Sequence, residues 1–350
     1  MLGFLLLSIG SRSLAVSAES SSWRSGWIGE KFEDKDEAII TAAKDLGFNA
    51  LILGGSPERL REFMAKARPA GIDTYWCFTP SSPKSGDPKL FEQVMPEKDQ
   101  EILKRLRASK DWKHQYGGEP APGHEDIFRR PLPCFHRKEV VEETKDAIRE
   151  MLAQCPDLKG IAFDGFGYQN YRNCVCEESL SQLAAFRKSH PEMSPEVAED
   201  AFSLESLVGL INGLADFARG LRTDIKTTIH IWPLYLPEPL YGNRLDLDYC
   251  CQTVAWFFPP YWPPDKIAKY TQAVVTEENK YFPRARGIPF LGIYIGKKNL
   301  PDKPLEQFRS ELQTIFQNDP SRSLSIHELA DVVLNDPYFE ALKTALRENP

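Results

Sequence analysis

Asp164 is the residue whose type and position most clearly suggest chemistry. It directly follows the apolar run Gly160-Ile161-Ala162-Phe163, which has the composition of a buried strand. A carboxylate beside a hydrophobic strand end can have its pKa shifted by burial, and glycosidic bonds are cleaved by pairs of carboxyls that differ in protonation. Asp164 also begins an Asp-Gly pair, which is common in turns, so a turn-forming role is the alternative.

Two further acids are candidates for the second carboxylate. Glu328 follows Ser325-Ile326-His327 at the end of the predicted eighth strand, and we take it as the first choice for the general acid, with Glu30 as the second choice. Glu328 could instead be the N-terminal acid of a short helix, where the helix dipole favours a negative charge. Glu30 could equally pair with Lys31 or Lys35 at the surface.

Histidine and aromatic residues fall near the same apolar runs. His230 could bind a sugar hydroxyl or be a hydrogen-bonded core residue. Flat rings pack on the apolar faces of sugars. We therefore expect His230 and six aromatic residues to contact the substrate, namely Trp76, Tyr168, Trp232, Trp256, Trp262 and Tyr294. The alternative for some of these rings is that they pack in the hydrophobic core. The six histidines show no metal-binding spacing, and we expect neither a metal ion nor a cofactor.

Short β-rich runs alternate with amphipathic stretches along the chain, which is the pattern of a parallel sheet with helical crossovers. Eight strands are predicted, at residues 26–31, 50–53, 73–78, 159–163, 226–231, 249–256, 290–295 and 323–326. We predict an α/β fold, a single-domain (β/α)8 (TIM) barrel over residues 21–350, with a long insertion after the third strand. Such an insertion lies over the active face, where strands end.

An open doubly wound sheet is the structural alternative. The first β/α turn, Gly29-Glu30-Lys31-Phe32, lacks the glycine spacing that binds a dinucleotide pyrophosphate. No change of composition divides the chain into two cores. The barrel is therefore the preferred fold.

The N-terminal 20 residues resemble a signal peptide, because a short apolar run precedes small residues at a plausible cleavage point. The positive n-region is missing, so a lipid or helical anchor or a mis-assigned start are alternatives. No other segment approaches the ~18 apolar residues that span a bilayer. We therefore expect a mature chain without a membrane span, in a secreted or periplasmic location.

Seven cysteines fit an oxidising compartment. Cys174 and Cys176 lie just past Asp164, and we expect them to form structural disulfides. A zinc ion shared with Cys134 and free buried thiols are the alternatives. The net charge is −7 and no run of five Lys or Arg occurs, so nucleic acid is excluded as a probable class of partner.

Residues 132–186 resemble a family of bacterial extracellular glycosyl-hydrolase-like barrels. In that family a "Cys-Pro…Pro-Glu-Val" helix leads to an Asp-Gly-Ile-x-Phe-Asp strand, a tyrosine and a Cys-x-Cys-x-x-Cys loop. The matching stretches here are Cys134 to Val140, Leu158 to Asp164, Tyr168, and Cys174-Val175-Cys176. The resemblance implies that Asp164 is the catalytic acidic residue at the end of strand four and that Tyr168 is the tyrosine that follows it.

The leading hypothesis is a glycoside hydrolase that acts on a polysaccharide or oligosaccharide. The rival is a non-catalytic carbohydrate-binding barrel. It is motivated by the seventh strand, where Tyr294 stands in a region that carries an acid in many glycosidase barrels. Either protein has carbohydrate as its partner.

Overall fold

Eight parallel strands close into a barrel in the order in which they follow one another along the chain. The structure is a computed structural model that describes residues 22–84, 87–108, 127, 131–232, 244–277, 282–297 and 300–348. The strands are β1 (Arg24–Ile28), β2 (Ala50–Leu53), β3 (Asp73–Phe78), β4 (Gly160–Phe163), β5 (Lys226–Ile231), β6 (Tyr249–Ala255), β7 (Arg286–Gly292) and β8 (Leu324–His327). The predicted (β/α)8 barrel is confirmed. The predicted signal peptide, residues 1–20, lies outside the described residues.

Helices surround the barrel. They are α1 (Asp36–Asp45), α2 (Pro57–Ala67), α3 (Glu97–Ala108), α4 (Lys138–Gln154), α5 (Glu177–Ser189), α6 (Pro195–Leu221), α7 (Pro264–Glu277), α8 (Leu305–Asn318), α9 (Leu329–Val333) and α10 (Asp336–Glu348). The start of α2 follows local chemistry: the Ser56 side chain accepts a hydrogen bond from the Arg59 N–H at 3.3 Å, and Pro57 occupies the first turn.

Two strands lie earlier in the chain than the sequence predicts. β1 ends at Ile28, and Glu30 instead begins a 3-10 helix, Glu30–Lys35. β7 begins at Arg286 and ends at Gly292, because residues 286–289 already pair with β6. Pro289 cannot donate to a ladder and so argues against a strand in the sequence. As a consequence, Tyr294 lies beyond the end of β7.

Helix α6 is apolar enough to resemble a membrane span by length and composition. It has 27 residues, and an 18-residue window within it has a mean hydropathy of 1.2, which departs from the expectation that no such segment occurs. However, Leu207, Ile211 and Leu214 are buried along one face, and α6 packs on α4 and α5. A core helix of a barrel meets the same criteria, so the described residues offer no clear membrane span.

The insertion after β3 is closed on itself by a short antiparallel bridge between Glu92 and Pro133. Helix α3 belongs to it and has its own small apolar core, formed by Met95, Ile102, Leu103, Leu106 and Ile127. The Gln93 side chain donates to the carbonyl oxygen of Gly167 at 2.9 Å. The insertion is therefore attached to the loop that follows β4.

The expected disulfides are absent, and that prediction is wrong. All seven cysteines fall within the described ranges, and none of them forms a disulfide bond. The Cys134 and Cys176 sulfurs lie 3.5 Å apart, whereas a disulfide bond measures about 2.05 Å.

Candidate active site

Asp164 lies at the mouth of the barrel, immediately after β4. Its backbone N–H donates to the Phe78 carbonyl at 2.9 Å, which continues the β3–β4 pairing by one residue. Gly165 then adopts a φ of +70°, a conformation that glycine accepts without steric cost. The chain turns away there, and the Asp164 side chain stays at the rim with 29% of its surface exposed.

A histidine from the neighbouring strand binds this carboxylate. His230 on β5 contacts Asp164 through Nδ1, which lies 3.1 Å from Oδ1. Its other nitrogen, Nε2, lies 3.1 Å from the Thr253 hydroxyl on β6, and its ring stacks on Phe290 at 3.9 Å. When Nδ1 carries the proton it donates to Asp164, and Nε2 then accepts from Thr253. The ring is thus oriented from three sides.

The pKa values of the two mouth groups are displaced. Burial alone would raise the pKa of Asp164, but the hydrogen bond and charge of His230, with smaller contributions from His327 and Trp232, lower it below its ordinary value. Burial lowers the pKa of His327 to about 4. At neutral pH the mouth therefore holds an ionised carboxylate beside a neutral imidazole.

A cavity of about 450 Å³ opens beside Asp164. It lies over the ends of β1 to β4 and also reaches His327 on β8. Its walls combine aromatic rings with small residues, including Trp27, Trp76, Phe78, Gly29, Gly54 and Gly55. This volume suits a small ligand, and pockets lined mainly by apolar groups with a few polar ones are typical of ligand sites.

Glu328 lies next to this cavity but is not among its lining residues. Both of its carboxylate oxygens accept from the Gly29 N–H at 2.9 Å, and its side chain is 3% exposed. Burial raises its pKa to about 7, although the Gly29 N–H and the charge of Lys297, 3.9 Å away, oppose the shift. Gly29 itself lines the cavity. Glu328 therefore contacts the wall of the cavity while its carboxylate faces Gly29.

The second-choice acid, Glu30, begins the 3-10 helix that follows β1. Its side chain is not among those that the structure describes. Its assignment stays a prediction.

The predicted aromatic ligand residues divide into two groups. Trp76 lines the cavity beside Asp164. Trp232, Trp256 and Tyr294 instead belong to what we call the aromatic cap, a cluster over the ends of β5 to β8 that consists of Trp232, Trp256, Phe257, Phe258 and Tyr294. Trp256 is only 1% exposed. Stacking of sugar on Trp256 would require the cap to open, and this assignment also stays a prediction.

Two residues that were predicted to contact the substrate lie away from the cavity. Trp262 is 2% exposed, packs on Tyr270 at 5.0 Å and has the Lys266 ammonium over its ring at 3.7 Å. Tyr168 is also 2% exposed, and its hydroxyl donates to the Ser203 carbonyl at 3.2 Å. Neither side chain lines the mouth cavity as the structure stands.

Three site residues escaped the sequence analysis. Thr253 faces His230 from inside β6, and Trp27 lines the cavity from β1. Phe257 is the centre of the aromatic cap and fits only because Gly292 opposite has no side chain, since a Cβ there would lie 2.3 Å from the ring. Strand alternation could have placed Trp27 and Thr253 on the inner face, but the proximity of Phe257 and Gly292 is a tertiary property.

No protein-family model matches the sequence, and no curated protein matches it either. Solved structures do match. A β-galactosidase from Halorubrum lacusprofundi superposes with a TM-score of 0.60 at 12% identity, covering 93% of this chain and 58% of that one. A β-galactosidase from Bacillus circulans sp. alkalophilus gives 0.57 at 10% identity over 94% and 56%.

A third neighbour is the catalytic domain of β-amylase from Paenibacillus polymyxa, with a TM-score of 0.56 at 8% identity and coverage of 94% and 99%. The chain spans little more than half the length of the β-galactosidases that it matches. At such low identity the likeness concerns the fold alone. The fold neighbours of this chain are glycoside hydrolase TIM barrels.

Proposed function

We propose that this chain is a glycoside hydrolase with Asp164 as its ionised catalytic carboxylate. The observation that carries the proposal is the position of Asp164, which stands at the end of β4 in a 450 Å³ cavity with its pKa lowered. Active sites of this fold lie at the strand ends. An ionised carboxylate there can act as nucleophile or as general base.

Glu328 is the proposed general acid. A glycosidase needs one carboxyl that stays protonated near neutral pH, and burial raises the pKa of Glu328 to about 7. To act, Glu328 must exchange its hydrogen bond with Gly29 for one to the glycosidic oxygen. Gly29 also lines the cavity, so the Glu328 side chain would have to turn past Gly29 to reach a ligand there. Glu30 remains the second choice.

The remaining parts of the proposal concern the whole chain. Residues 21–350 would form one catalytic domain that acts on a polysaccharide or oligosaccharide, without nucleic acid as a partner. Residues 1–20 would direct export, which gives a secreted or periplasmic enzyme like the bacterial extracellular barrels that residues 132–186 resemble. The aromatic content of the mouth supports a carbohydrate ligand, since sugar rings pack on flat apolar surfaces.

A carbohydrate-binding barrel without catalysis is the second candidate. It is favoured by one observation: among the described residues that line the mouth cavity, Asp164 is the sole carboxylate. If Glu328 keeps its bonds to Gly29 when ligand binds, the site has one acid and no proton donor for the leaving group.

The test is a reducing-sugar assay on a panel of polysaccharides, together with calorimetric titration of the same glycans. Asp164→Asn should lower turnover about a thousandfold, the scale of a lost acid–base group. The matched control is Asp157→Asn, because Asp157 precedes β4 at the opposite end of the same strand and is 68% exposed. That variant should keep full activity.

Three results decide between the candidates. Turnover that is lost in Asp164→Asn and kept in Asp157→Asn supports the hydrolase. Binding without turnover in the unmodified chain favours the binding barrel. Turnover that survives in Asp164→Asn would refute the assigned role of Asp164.

A further inference from the structure

Three cysteine thiols meet beside the candidate active site. Cys134 lies just before α4, whereas Cys174 and Cys176 lie in the loop between β4 and α5. Their sulfur atoms all lie within 4.8 Å of one another, and the three residues are buried. The Cys134 and Cys176 sulfurs are 3.5 Å apart. Three thiolates around one zinc ion at about 2.3 Å would be separated by nearly this distance.

A histidine completes the group. His136 directs Nδ1 toward the thiols, 4.0 Å from the Cys134 sulfur, while its ring stacks on Phe202 at 5.0 Å. A neutral imidazole nitrogen is a common zinc ligand. A sulfur and a nitrogen bound to one tetrahedral zinc ion lie about 3.5 Å apart, so a shift of about half an ångström suffices.

Ser179 shows where the four donors converge. Its hydroxyl oxygen lies 2.7 Å from His136 Nδ1, 3.2 Å from the Cys176 sulfur and 3.5 Å from the Cys134 sulfur. One small polar group thus lies within contact distance of three of the four candidate ligands. Rotation of this serine about its Cα–Cβ bond would clear the space between them.

We propose that Cys134, His136, Cys174 and Cys176 bind one structural zinc ion. Soft thiolates with one imidazole in a closed tetrahedral arrangement are a donor set that zinc prefers. The thiols release their protons to solvent on binding. The sequence alone predicts no metal, because Cys174 and Cys176 supply only two local ligands. The fold adds the other two from the segment before α4.

The zinc ion would secure the insertion over the mouth of the barrel. The Val94 N–H donates to the Cys174 sulfur at 3.3 Å, and the Cys134 N–H donates to the Phe91 carbonyl at 2.7 Å. Both Phe91 and Val94 belong to the insertion. The loop between β4 and α5, which carries Cys174 and Cys176, begins at Asp164. Metal binding would therefore fix both the insertion and the loop that follows the candidate catalytic residue.

The experiment measures metal binding by the full chain and does not depend on carbohydrate activity. Elemental analysis of the purified protein should find about one zinc ion per chain. Titration of the metal-free chain with Co²⁺ should give the thiolate-to-cobalt charge-transfer absorption and the intense d–d bands of a tetrahedral site. Cys176→Ser should abolish both the bound zinc and these Co²⁺ absorption bands. Cys155→Ser is the matched control, because Cys155 is buried elsewhere with its sulfur near the Pro57 carbonyl.

Further variants identify the fourth ligand. His136→Ala should weaken Co²⁺ binding by at least about tenfold, since even residues that only orient a ligand have that effect. The d–d bands of Co²⁺ bound to this variant should shift, because a water oxygen replaces the histidine nitrogen as a ligand. Ser179→Ala should leave binding intact. An unmodified chain that binds neither ion in stoichiometric amount overturns the proposal, even if Cys176→Ser does not fold. The proposal is also overturned if Cys155→Ser loses as much metal binding as Cys176→Ser. Unchanged Co²⁺ binding in His136→Ala overturns the assignment of His136 as the fourth ligand.

Discussion

The two halves of the barrel mouth differ in what fills them. Over the ends of β1 to β4, Gly29, Gly54 and Gly55 leave the space that forms the cavity beside Asp164. Over the ends of β5 to β8 the aromatic cap fills the equivalent space, and its centre, Phe257, is 2% exposed. One half is open to ligand, and the other is an extension of the core.

This difference shows that aromatic density alone does not locate a sugar site. The loop after β6 contains more rings than any other described loop at the mouth, yet these rings mostly contact one another. The open half has fewer rings, but two of them, Trp27 and Trp76, stand beside glycines and the ionised Asp164. Space next to a polar group, rather than the number of rings, distinguishes the candidate site.

Removal of the central ring of the closed half should have the largest effect on stability. Phe257→Ala should lower the free energy of unfolding by about 3 to 5 kcal/mol, because it leaves a cavity among rings that cannot close it. Denaturant unfolding measures the loss. The control is Phe339→Ala, since Phe339 is only partly buried on α10 and should lose less. An equal loss in both variants would show that the cap is not a packed part of the core.

The pH dependence of stability tests the state of Glu328. Its folded pKa of about 7 lies above its ordinary value of 4.5, so the folded state binds a proton more tightly than the unfolded state between these values. The resulting stabilisation is complete below pH 4.5 and is lost as pH rises through 7. It amounts to about 3 kcal/mol at most.

Unfolding curves from pH 4 to 8 should therefore show a decline in the unmodified chain that Glu328→Gln lacks. Glu340→Gln, a change at a side chain that is 62% exposed, should follow the unmodified chain. If Glu328→Gln and the unmodified chain decline in parallel, Glu328 is ionised in the fold and is not the general acid.

Binding measurements test whether a sugar contacts the open half. Trp76→Ala should weaken binding of a recognised glycan about tenfold, which corresponds to about 1.4 kcal/mol for the loss of one stacked ring. Trp262→Phe should leave binding unchanged, because Trp262 packs on Tyr270 away from the cavity. Calorimetric titration checks both. The opposite order of effects would place the sugar surface near Trp262, outside the cavity.

Much of the fold could be predicted from the sequence. Strand runs such as 50–53 and 73–78 are bounded by helix stops and caps, and local chemistry alone sets their limits. The start of β7 was predicted too late in the chain, because residues 286–289 pair with β6 even though Pro289 cannot donate a ladder hydrogen bond. The bridge between Glu92 and Pro133 was not predictable, because it pairs two segments of the insertion that are distant in the sequence.

The candidate site was predictable only in part. Asp164 follows an apolar strand, and this signal is local. Whether Trp256 and Trp262 face a ligand or the core depends on which groups oppose them, and that is set by contacts between distant parts of the chain. The cysteine cluster has the same character, because Cys134 and Cys176 meet only when the barrel closes.

Thr253, on β6, offers the smallest and most specific test of how the neighbouring strands position Asp164. Its side chain is fully buried, so its hydroxyl acts only through His230 and is a positioning group for Asp164. Thr253→Val removes the donor to Nε2. The tautomer of His230 with its proton on Nδ1 is then less favoured. The hydrogen bond from Nδ1 that lowers the pKa of Asp164 therefore weakens.

The acid limb of the pH–activity profile should therefore move to higher pH by less than one unit, while Thr253→Ser, which keeps the hydroxyl, should not move it. Nitrogen NMR shifts of the His230 ring would report the same change of tautomer without any substrate. A merely structural threonine would change stability and leave both the acid limb and the tautomer where they are. That outcome would confine the active group to Asp164 and His230, with β6 serving only as structural support.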